Sequence, residues 1–253
     1  MSALPRRAFA EFLGTALLLI AVVGSGIAAE RLSAGQPGLE LLENAVATGV
    51  ALVAIVLTFG PVSGAHLNPV ITAVDLAFGG LRAREAGAYA AAQLAGGAAG
   101  TVLADLMFSL PAVQVSQHVR SGGGLWLAEA VATFGLVVVV FALARSGRAA
   151  LAPFAVGVYI AGAYFFTSST SFANPAVTLA RTLSNTFAGI APASAPGFIV
   201  AQALGGALGA VAVRVLYPDV ARAGREVVVP HDGRGTGEVA GVREMAEGRG
   251  GGG

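Results

Sequence analysis

Two tripeptides, Asn68-Pro69-Val70 and Asn174-Pro175-Ala176, place an asparagine amide directly before a proline in each half of the chain. The residue before a proline is disfavoured in the α region, and proline suits the first position of a helix. Each tripeptide therefore predicts a helix start with an asparagine at its tip. Such a start carries unpaired N–H groups and a partial positive charge. It can donate hydrogen bonds to a polar solute and oppose a cation.

Composition identifies the surroundings of these two motifs as a membrane. Of 253 residues, 55% are hydrophobic and 11% charged, and the mean hydropathy of +0.76 is far above that of a soluble domain. This excludes a soluble enzyme, and no nucleophile–base constellation is present. A net charge of +1 gives no reason to expect nucleic acid as a partner. The three histidines, at 66, 118 and 231, are too dispersed to predict a metal site, and the sequence implies no cofactor.

Hydropathy predicts an all-α membrane protein with six transmembrane helices and two re-entrant half-helices. Apolar runs of about twenty residues, the length that crosses a bilayer, occur at 8–29, 41–60, 86–108, 125–144, 150–168 and 195–217. Two shorter segments, 68–79 and 174–184, begin at the Asn-Pro motifs and are too short to span. Residues 1–7 are predicted to be a cytoplasmic N-terminus, 8–217 the membrane domain and 218–253 a disordered cytoplasmic tail.

The arginine distribution predicts the orientation. With both termini inside, twelve of the 15 basic residues face the cytoplasm, and only Arg31, Arg120 and Arg181 lie outside. This bias favours a multi-pass inner-membrane protein with cytoplasmic N- and C-termini.

The two halves repeat each other in sequence. Glutamate, Asn-Pro and glutamine occur in the same order at Glu11, Asn68 and Gln93, and again from Glu129 to Gln202. Repeats at about 8–109 and 125–217, with three spans each, would have opposite topology and bring the two Asn-Pro turns face to face near the midplane. Glu and Gln within spanning helices need polar partners. These Glu and Gln residues could either hold the loops before the half-helices or only make polar contacts between packed helices.

The run Ser63-Gly64-Ala65-His66-Leu67-Asn68-Pro69 and the second Asn-Pro-Ala resemble the two signatures of the aquaporin (major intrinsic protein) family, and the resemblance extends over residues 8–217. It implies a passive homotetrameric channel in the lipid bilayer. The functional residues that it implies are midplane donors (Asn68, Asn174), motif residues (Pro69, Val70, Pro175, Ala176), loop supports (Glu11, Glu129, Gln93, Gln202) and pore-lining His66 and Ile71.

Substrate choice in this family depends on a constriction that, in most members, includes an arginine directly after the second Asn-Pro-Ala. Here that position is Val177, as in bacterial aquaglyceroporin-like members associated with arsenic resistance. Family spacing carries the other constriction positions onto Thr48, Gly162 and Ser171. This ring would be wide and uncharged. It predicts passage of water, glycerol, urea and metalloid hydroxides such as arsenite.

Several alternatives stay open. Arg181 and Asp75 each lie seven residues after a motif asparagine and would give the pore a cationic outer and an anionic inner vestibule, unless both are buried structural partners or interfacial anchors. His66 could act as a gate instead of a structural lining residue. Inverted repeats also occur in secondary active transporters, and a non-conducting scaffold of channel ancestry is conceivable. The channel could also pass small anions or organoarsenicals.

Overall fold

The computed structural model of the protein describes residues 3–218. This part of the chain is all-α, as predicted, with six long helices and two short ones. The helices are α1 (Ala3–Leu32), α2 (Pro37–Ser63), α3 (Pro69–Phe78), α4 (Ala83–Met107), α5 (Gly123–Arg145), α6 (Ala152–Phe166), α7 (Pro175–Ala180) and α8 (Ala195–Leu216). Three 3-10 turns, Ala149–Leu151, Arg181–Leu183 and Pro192–Ser194, extend α6, α7 and α8. The predicted tail, from residue 219 onward, lies outside the described residues.

Five of the six long helices are apolar and long enough to cross a membrane: α1, α2, α5, α6 with its preceding turn, and α8 with its preceding turn. The sixth, α4, has 25 residues but is rich in alanine, glycine and polar groups. Its small residues let it pack closely against α1. A Cβ at Gly96 would lie 2.2 Å from the carbonyl oxygen of Phe12, and one at Gly100 would lie 2.2 Å from that of Ala16. The small-residue row of α4 therefore serves packing within the protomer.

The second half repeats this packing. Helices α5 and α8 form the equivalent pair, and a Cβ at Gly205 would lie 2.1 Å from the carbonyl oxygen of Ala130. Both predicted half-helices are present. The first spans Pro69–Phe78, and the second is shorter than expected because the α-helix Pro175–Ala180 tightens into the 3-10 turn Arg181–Leu183. Each half thus consists of three long helices and one half-helix.

Side-chain bonds between helix ends define two faces of the bundle. On the face called here the N-terminal face, Arg7 of α1 bonds Glu85 at the start of α4 at 3.0 Å. On the opposite face, Arg31 at the end of α1 donates to the carbonyl of Phe108, just after α4, at 2.8 Å. The loop 108–122 lies on that opposite face, where the backbone of Gln114 bonds the carbonyl of Leu183 at 2.8 Å.

Candidate pore and selectivity site

Each half-helix begins at the asparagine that the sequence singled out. Asn68 and Asn174 have extended backbones and cap α3 and α7. The Asn68 side-chain oxygen accepts the N–H of Val70 at 2.9 Å, and that of Asn174 accepts the N–H of Ala176, also at 2.9 Å. Asparagine suits this position because its short side chain satisfies an N–H that the helix leaves unpaired. The caps fix the orientation of both amides.

The two amides also cross between the halves. Asn68 Nδ2 donates to the carbonyl of Ala173 at 2.8 Å, and Asn174 Nδ2 donates to the carbonyl of Leu67 at 2.7 Å. An amide nitrogen carries two hydrogens, so the opposite loop uses one N–H of each asparagine. Both asparagines line the central cavity. Each can therefore offer the cavity one donor, not two.

A buried glutamate holds the chain just before each half-helix. Glu11 accepts the backbone N–H of His66 at 3.0 Å and of Leu67 at 2.7 Å. Glu129 accepts the equivalent groups of Phe172 at 2.8 Å and Ala173 at 2.9 Å. These bonds satisfy backbone donors that helix or sheet geometry would otherwise pair.

A glutamine and a threonine complete each of these networks. Gln93 donates to Glu11 at 2.7 Å and to Thr72 at 3.0 Å. In the second half, Gln202 donates to Glu129 at 2.6 Å and to Thr178 at 2.8 Å. The two threonines each lie four residues after a motif asparagine, so the sequence repeat includes them. The sequence does not indicate that the two glutamines are their hydrogen-bond partners.

The backbone before each motif alternates in an unusual way. Positive φ angles of 46° and 51° occur at Ala65 and Leu67, three residues and one residue before Asn68, and of 49° at Ser171 and Ala173, at the same offsets before Asn174. Non-glycine residues adopt this left-handed region only at a cost, so the surrounding structure must hold them there. The glutamate bonds to these loops supply that restraint.

A cavity passes between the half-helices and has two chemically different walls. One wall is apolar and comes from α1, α2, α5 and α6: Leu18, Val22, Leu52, Val56, Leu136, Val140, Ala152, Val156 and Ile160. The other is a polar strip formed by residues 64–67, the two asparagines, Thr48, Tyr164, Ser171 and Arg181. His66 and Ile71 both line the cavity.

Three of the four residues assigned to the constriction lie together in the cavity wall: Thr48, Ser171 and Val177. Gly162 does not, and this corrects the expectation from spacing. It lies on the exposed surface of α6, and the nearest side chain to its Cβ position is Phe166 of the same helix, at 3.7 Å. Helix α6 lines the cavity with residues four apart, and Gly162, two residues from Ile160 and from Tyr164, is turned about 200° away.

Tyr164 takes the place expected for Gly162 in the cavity wall. Its hydroxyl donates to Thr48 Oγ1 at 3.3 Å, so this bond joins α6 to α2 in the cavity wall. Phe172 and Arg181 line the same cavity. The cavity wall that includes Thr48, Ser171 and Val177 therefore also carries aromatic and cationic side chains, at positions that the family spacing does not indicate, whereas an uncharged ring was expected.

Arg181 and Asp75 occupy different environments despite their equal offsets. Arg181 lines the cavity and is also packed into the protein, with its Nε donating to the carbonyl of Ala188. Asp75 is buried behind the cavity wall, where one carboxylate oxygen lies 3.6 Å from His66 Nε2. The two residues therefore differ in role. Asp75 is a buried partner of His66, whereas Arg181 is anchored in the protein and also lines the pore.

The opposite face carries a further arginine, half-buried, in the loop 108–122. Arg120 donates to the carbonyls of Gly189 at 2.8 Å and Phe187 at 3.1 Å. Burial lowers the pKa of its guanidinium, although an arginine keeps its charge in proteins. Among residues 3–218, no cluster of histidine, cysteine, aspartate or glutamate could hold a metal ion.

The fold and the cavity define a multi-pass membrane protein with a pathway between two re-entrant half-helices. The chain matches the Major intrinsic protein family over residues 1–173 and 154–245. It is 53% identical over 202 residues to the aquaglyceroporin AqpS of Rhizobium meliloti, covering 80% of this chain and 86% of that protein. It is 32% identical over 245 residues to the glycerol uptake facilitator protein of Pseudomonas aeruginosa, covering 82% and 87%.

The X-ray structure of the aquaglyceroporin from Plasmodium falciparum has the same fold, with a TM-score of 0.66 at 22% identity over 86% of this chain and 98% of that one. This chain belongs to the major intrinsic protein family. It is a membrane channel and not an enzyme.

Proposed function

We propose that the protein is a passive channel for small neutral solutes, namely water, glycerol, urea and metalloid hydroxides such as arsenite, in a bacterial plasma membrane. The names of two relatives, an aquaglyceroporin and a glycerol uptake facilitator, support the glycerol part of this proposal. The finer substrate assignment rests on the chemistry of the cavity.

The two-sided lining of the cavity is the observation that carries the proposal. A polyol presents hydroxyls along one edge and C–H groups along the other. The polar strip of loop residues 64–67, Asn68 and Asn174 can exchange hydrogen bonds with the hydroxyls, while the apolar wall faces the C–H edge. Metalloid hydroxides are neutral near pH 7 and also present several hydroxyls. The same strip would replace their hydration one bond at a time.

Selection by size would occur where Thr48, Tyr164, Ser171 and Val177 line the lumen. Val177 supplies an apolar surface where an arginine would reach across the lumen. The hydroxyls of Thr48 and Tyr164 keep that side of the passage polar. This combination admits a solute with both hydroxyl and C–H surfaces.

Exclusion of cations from the pathway would begin at the capped half-helices. The N-termini of α3 and α7 meet at Asn68 and Asn174, which bond across to each other's loops. Both ends carry partial positive charge, and the asparagine donors favour oxygen atoms over cations.

Orientation and assembly are part of the proposal. Seven arginines at 6, 7, 82, 84, 145, 148 and 214 lie towards the N-terminal face, against three towards the opposite face, which favours a cytoplasmic N-terminal face. The family resemblance favours a homotetramer. Cross-linking of the protein in its native membrane, followed by mass determination, would test the assembly.

The test is a permeability panel on purified protein in proteoliposomes, with water, glycerol, urea and arsenite as solutes. We expect all four to enter faster than in protein-free vesicles. Val177→Arg should reduce glycerol and arsenite flux more than water flux, since a long cationic side chain would narrow the lumen. Val177→Met is the matched neutral control, which separates added length from added charge. Water flux without glycerol or arsenite flux in the unmodified protein would overturn the proposal.

A secondary active transporter makes a different prediction in the same vesicles. Channel flux stays linear with solute concentration and is indifferent to proton or sodium gradients. Coupling requires ion-binding groups on the pathway, and Glu11 and Glu129 are each occupied by backbone and glutamine donors. Saturable, gradient-driven accumulation would favour the carrier.

A further inference from the structure

Arg181 stands one helical turn beyond Val177, in the 3-10 turn that follows α7. Four residues of helix correspond to an advance of about 6 Å along the pathway. Only 2% of its surface is exposed, yet it lines the same cavity as Ser171 and Val177. Arg181 is therefore a largely buried residue that still reaches the lumen.

Two contacts fix the Arg181 side chain. Its Nε donates to the carbonyl of Ala188, and its Cζ lies 3.5 Å from the centre of the Phe172 ring. Phe172 is itself fixed, because its backbone N–H bonds Glu129 at 2.8 Å. A guanidinium stacked on a ring in this way is held in one plane. The bond to Ala188 and the contact with the Phe172 ring together fix the orientation of the two terminal nitrogens.

The terminal nitrogens of Arg181 have no partner within residues 3–218. A guanidinium has five N–H donors, and the Nε–H is the one that bonds another described residue. No carboxylate of the described chain lies within 4.0 Å of it, since the ion pairs there are Arg7–Glu85 and His66–Asp75. Leaving donors of a buried charge unsatisfied is costly. They are satisfied only if the lumen supplies acceptor oxygens.

Ser171 adds a second unsatisfied group to the same wall. Its hydroxyl is buried without a hydrogen-bond partner in the described chain, and the residue is 3% exposed. Its φ of 49° belongs to the restrained backbone before the second motif. A hydroxyl can both donate and accept, and Ser171, Arg181 and the apolar Val177 all line this cavity.

We propose that Arg181 and Ser171 form the solute-recognition site at this mouth of the channel. The guanidinium binds an acceptor oxygen of a neutral hydroxylated or carbonyl solute and repels cations. This inference rests on the solute pathway proposed above. It assigns the positive charge of that pathway to Arg181, one helical turn beyond Val177. The alternative is that Arg181 only joins Phe172 to the loop that follows α7.

The test compares Arg181→Met with Arg181→Lys in proteoliposomes, using methylammonium as the cation probe and glycerol as the neutral solute. Methionine keeps much of the packing on Phe172 without charge, whereas lysine keeps the charge. We expect Arg181→Met to raise methylammonium entry by about 10- to 100-fold, the scale of one charge acting over about 6 Å at an effective dielectric constant of about 20. Arg181→Lys should restore most of the exclusion. Adding Val177→Arg to Arg181→Met should also restore it, because the charge returns to the lumen.

Arg31→Met is the matched control. Arg31 lies on the same face, with its Cζ 5.2 Å from the ring of Phe108, and it is not among the residues that line the cavity. Its substitution should leave methylammonium entry unchanged. Equal methylammonium entry in unmodified protein, Arg181→Met and Arg181→Lys, all monodisperse and conducting glycerol, would overturn the inference. Absence of glycerol flux in the unmodified protein would instead overturn the proposed function.

Discussion

Glu129 Oε2 and Gln202 Nε2 lie 2.6 Å apart, although the two residues are separated by 73 positions in the chain. The same carboxylate accepts the backbone N–H groups of Phe172 and Ala173. One buried side chain of α5 thereby joins α8 to the loop that presents Ser171 and Asn174 to the cavity. The position of the second motif depends on this carboxylate.

Replacing Glu129 with glutamine should loosen that loop. A glutamine has one acceptor oxygen and brings an amide donor towards groups that are themselves donors. At least one buried N–H then loses its partner, at about 1–3 kcal/mol for each group. For a chain of this size, that corresponds to a fall of roughly 2–12 °C in the apparent unfolding temperature. Differential scanning fluorimetry in detergent measures this, and glycerol flux should fall in parallel.

Glu30→Gln is the control for that substitution, since Glu30 is exposed and its one bond, from the Phe187 N–H, is long at 3.3 Å. It should change the unfolding temperature by less than about 2 °C. A Glu129→Gln variant as stable and as conductive as the unmodified protein would show that the loop holds its shape without the carboxylate.

Substitutions in α6 distinguish the expected constriction residue from the observed one. Tyr164→Ala removes a ring from the cavity wall and should raise glycerol flux relative to water flux by about two- to tenfold. Gly162→Ala adds a methyl group to the exposed surface and should leave that ratio unchanged. Stopped-flow light scattering on both variants measures the ratio. An altered ratio in Gly162→Ala, with none in Tyr164→Ala, would return Gly162 to the constriction.

The sequence is sufficient to predict the helices and the meeting of the two Asn-Pro turns, because both depend on local and repeated signals. Asn-Pro fixes a helix start through backbone sterics, and an apolar run of about twenty residues fixes a span. The sequence predicts the ends of the helices less closely. Helix α1 begins at Ala3, five residues before the predicted apolar run, because a helix continues beyond the hydrocarbon region as long as its own bonds are satisfied.

The cavity wall could be predicted only in part, because counting residues back from a motif assumes a fixed path between helix and loop. Thr48 is joined to its motif by a continuous helix and a short loop, and lies where spacing puts it. The path from α6 to Asn174 crosses an irregular loop, so the count reaches Gly162 and misses Tyr164. Periodicity was an available signal, since Ala152, Val156, Ile160 and Tyr164 recur every four residues on one face of the helix.

Val70, the bulkier residue of the first motif, packs into a space left by a glycine of α8. A Cβ at Gly206 would lie 2.3 Å from Val70 Cγ1. The larger side chain and the missing one are therefore complementary, and α3 approaches α8 through this contact. The sequence alone does not identify this partner of Val70.

The contact predicts strong coupling between substitutions at the two sites. Gly206→Ala alone should destabilise the protein by about 1–3 kcal/mol through overpacking, and Val70→Ala alone should do so through lost contacts. In the double variant, the new methyl group occupies space that the valine vacates. The combined loss should fall short of the sum by about 0.5–3 kcal/mol, the range for residues in contact.

Gly205→Ala provides the control for this cycle. A Cβ there would lie 2.1 Å from the carbonyl oxygen of Ala130, and Val70→Ala cannot relieve a clash with the backbone of α5. Unfolding temperatures of all single and double variants, converted to free energies against the unmodified protein, complete both cycles. Rescue of Gly206→Ala but not of Gly205→Ala is the expected pattern. Additive losses at both pairs would mean that α3 moves away from α8 as a unit, with no direct contact between Val70 and Gly206.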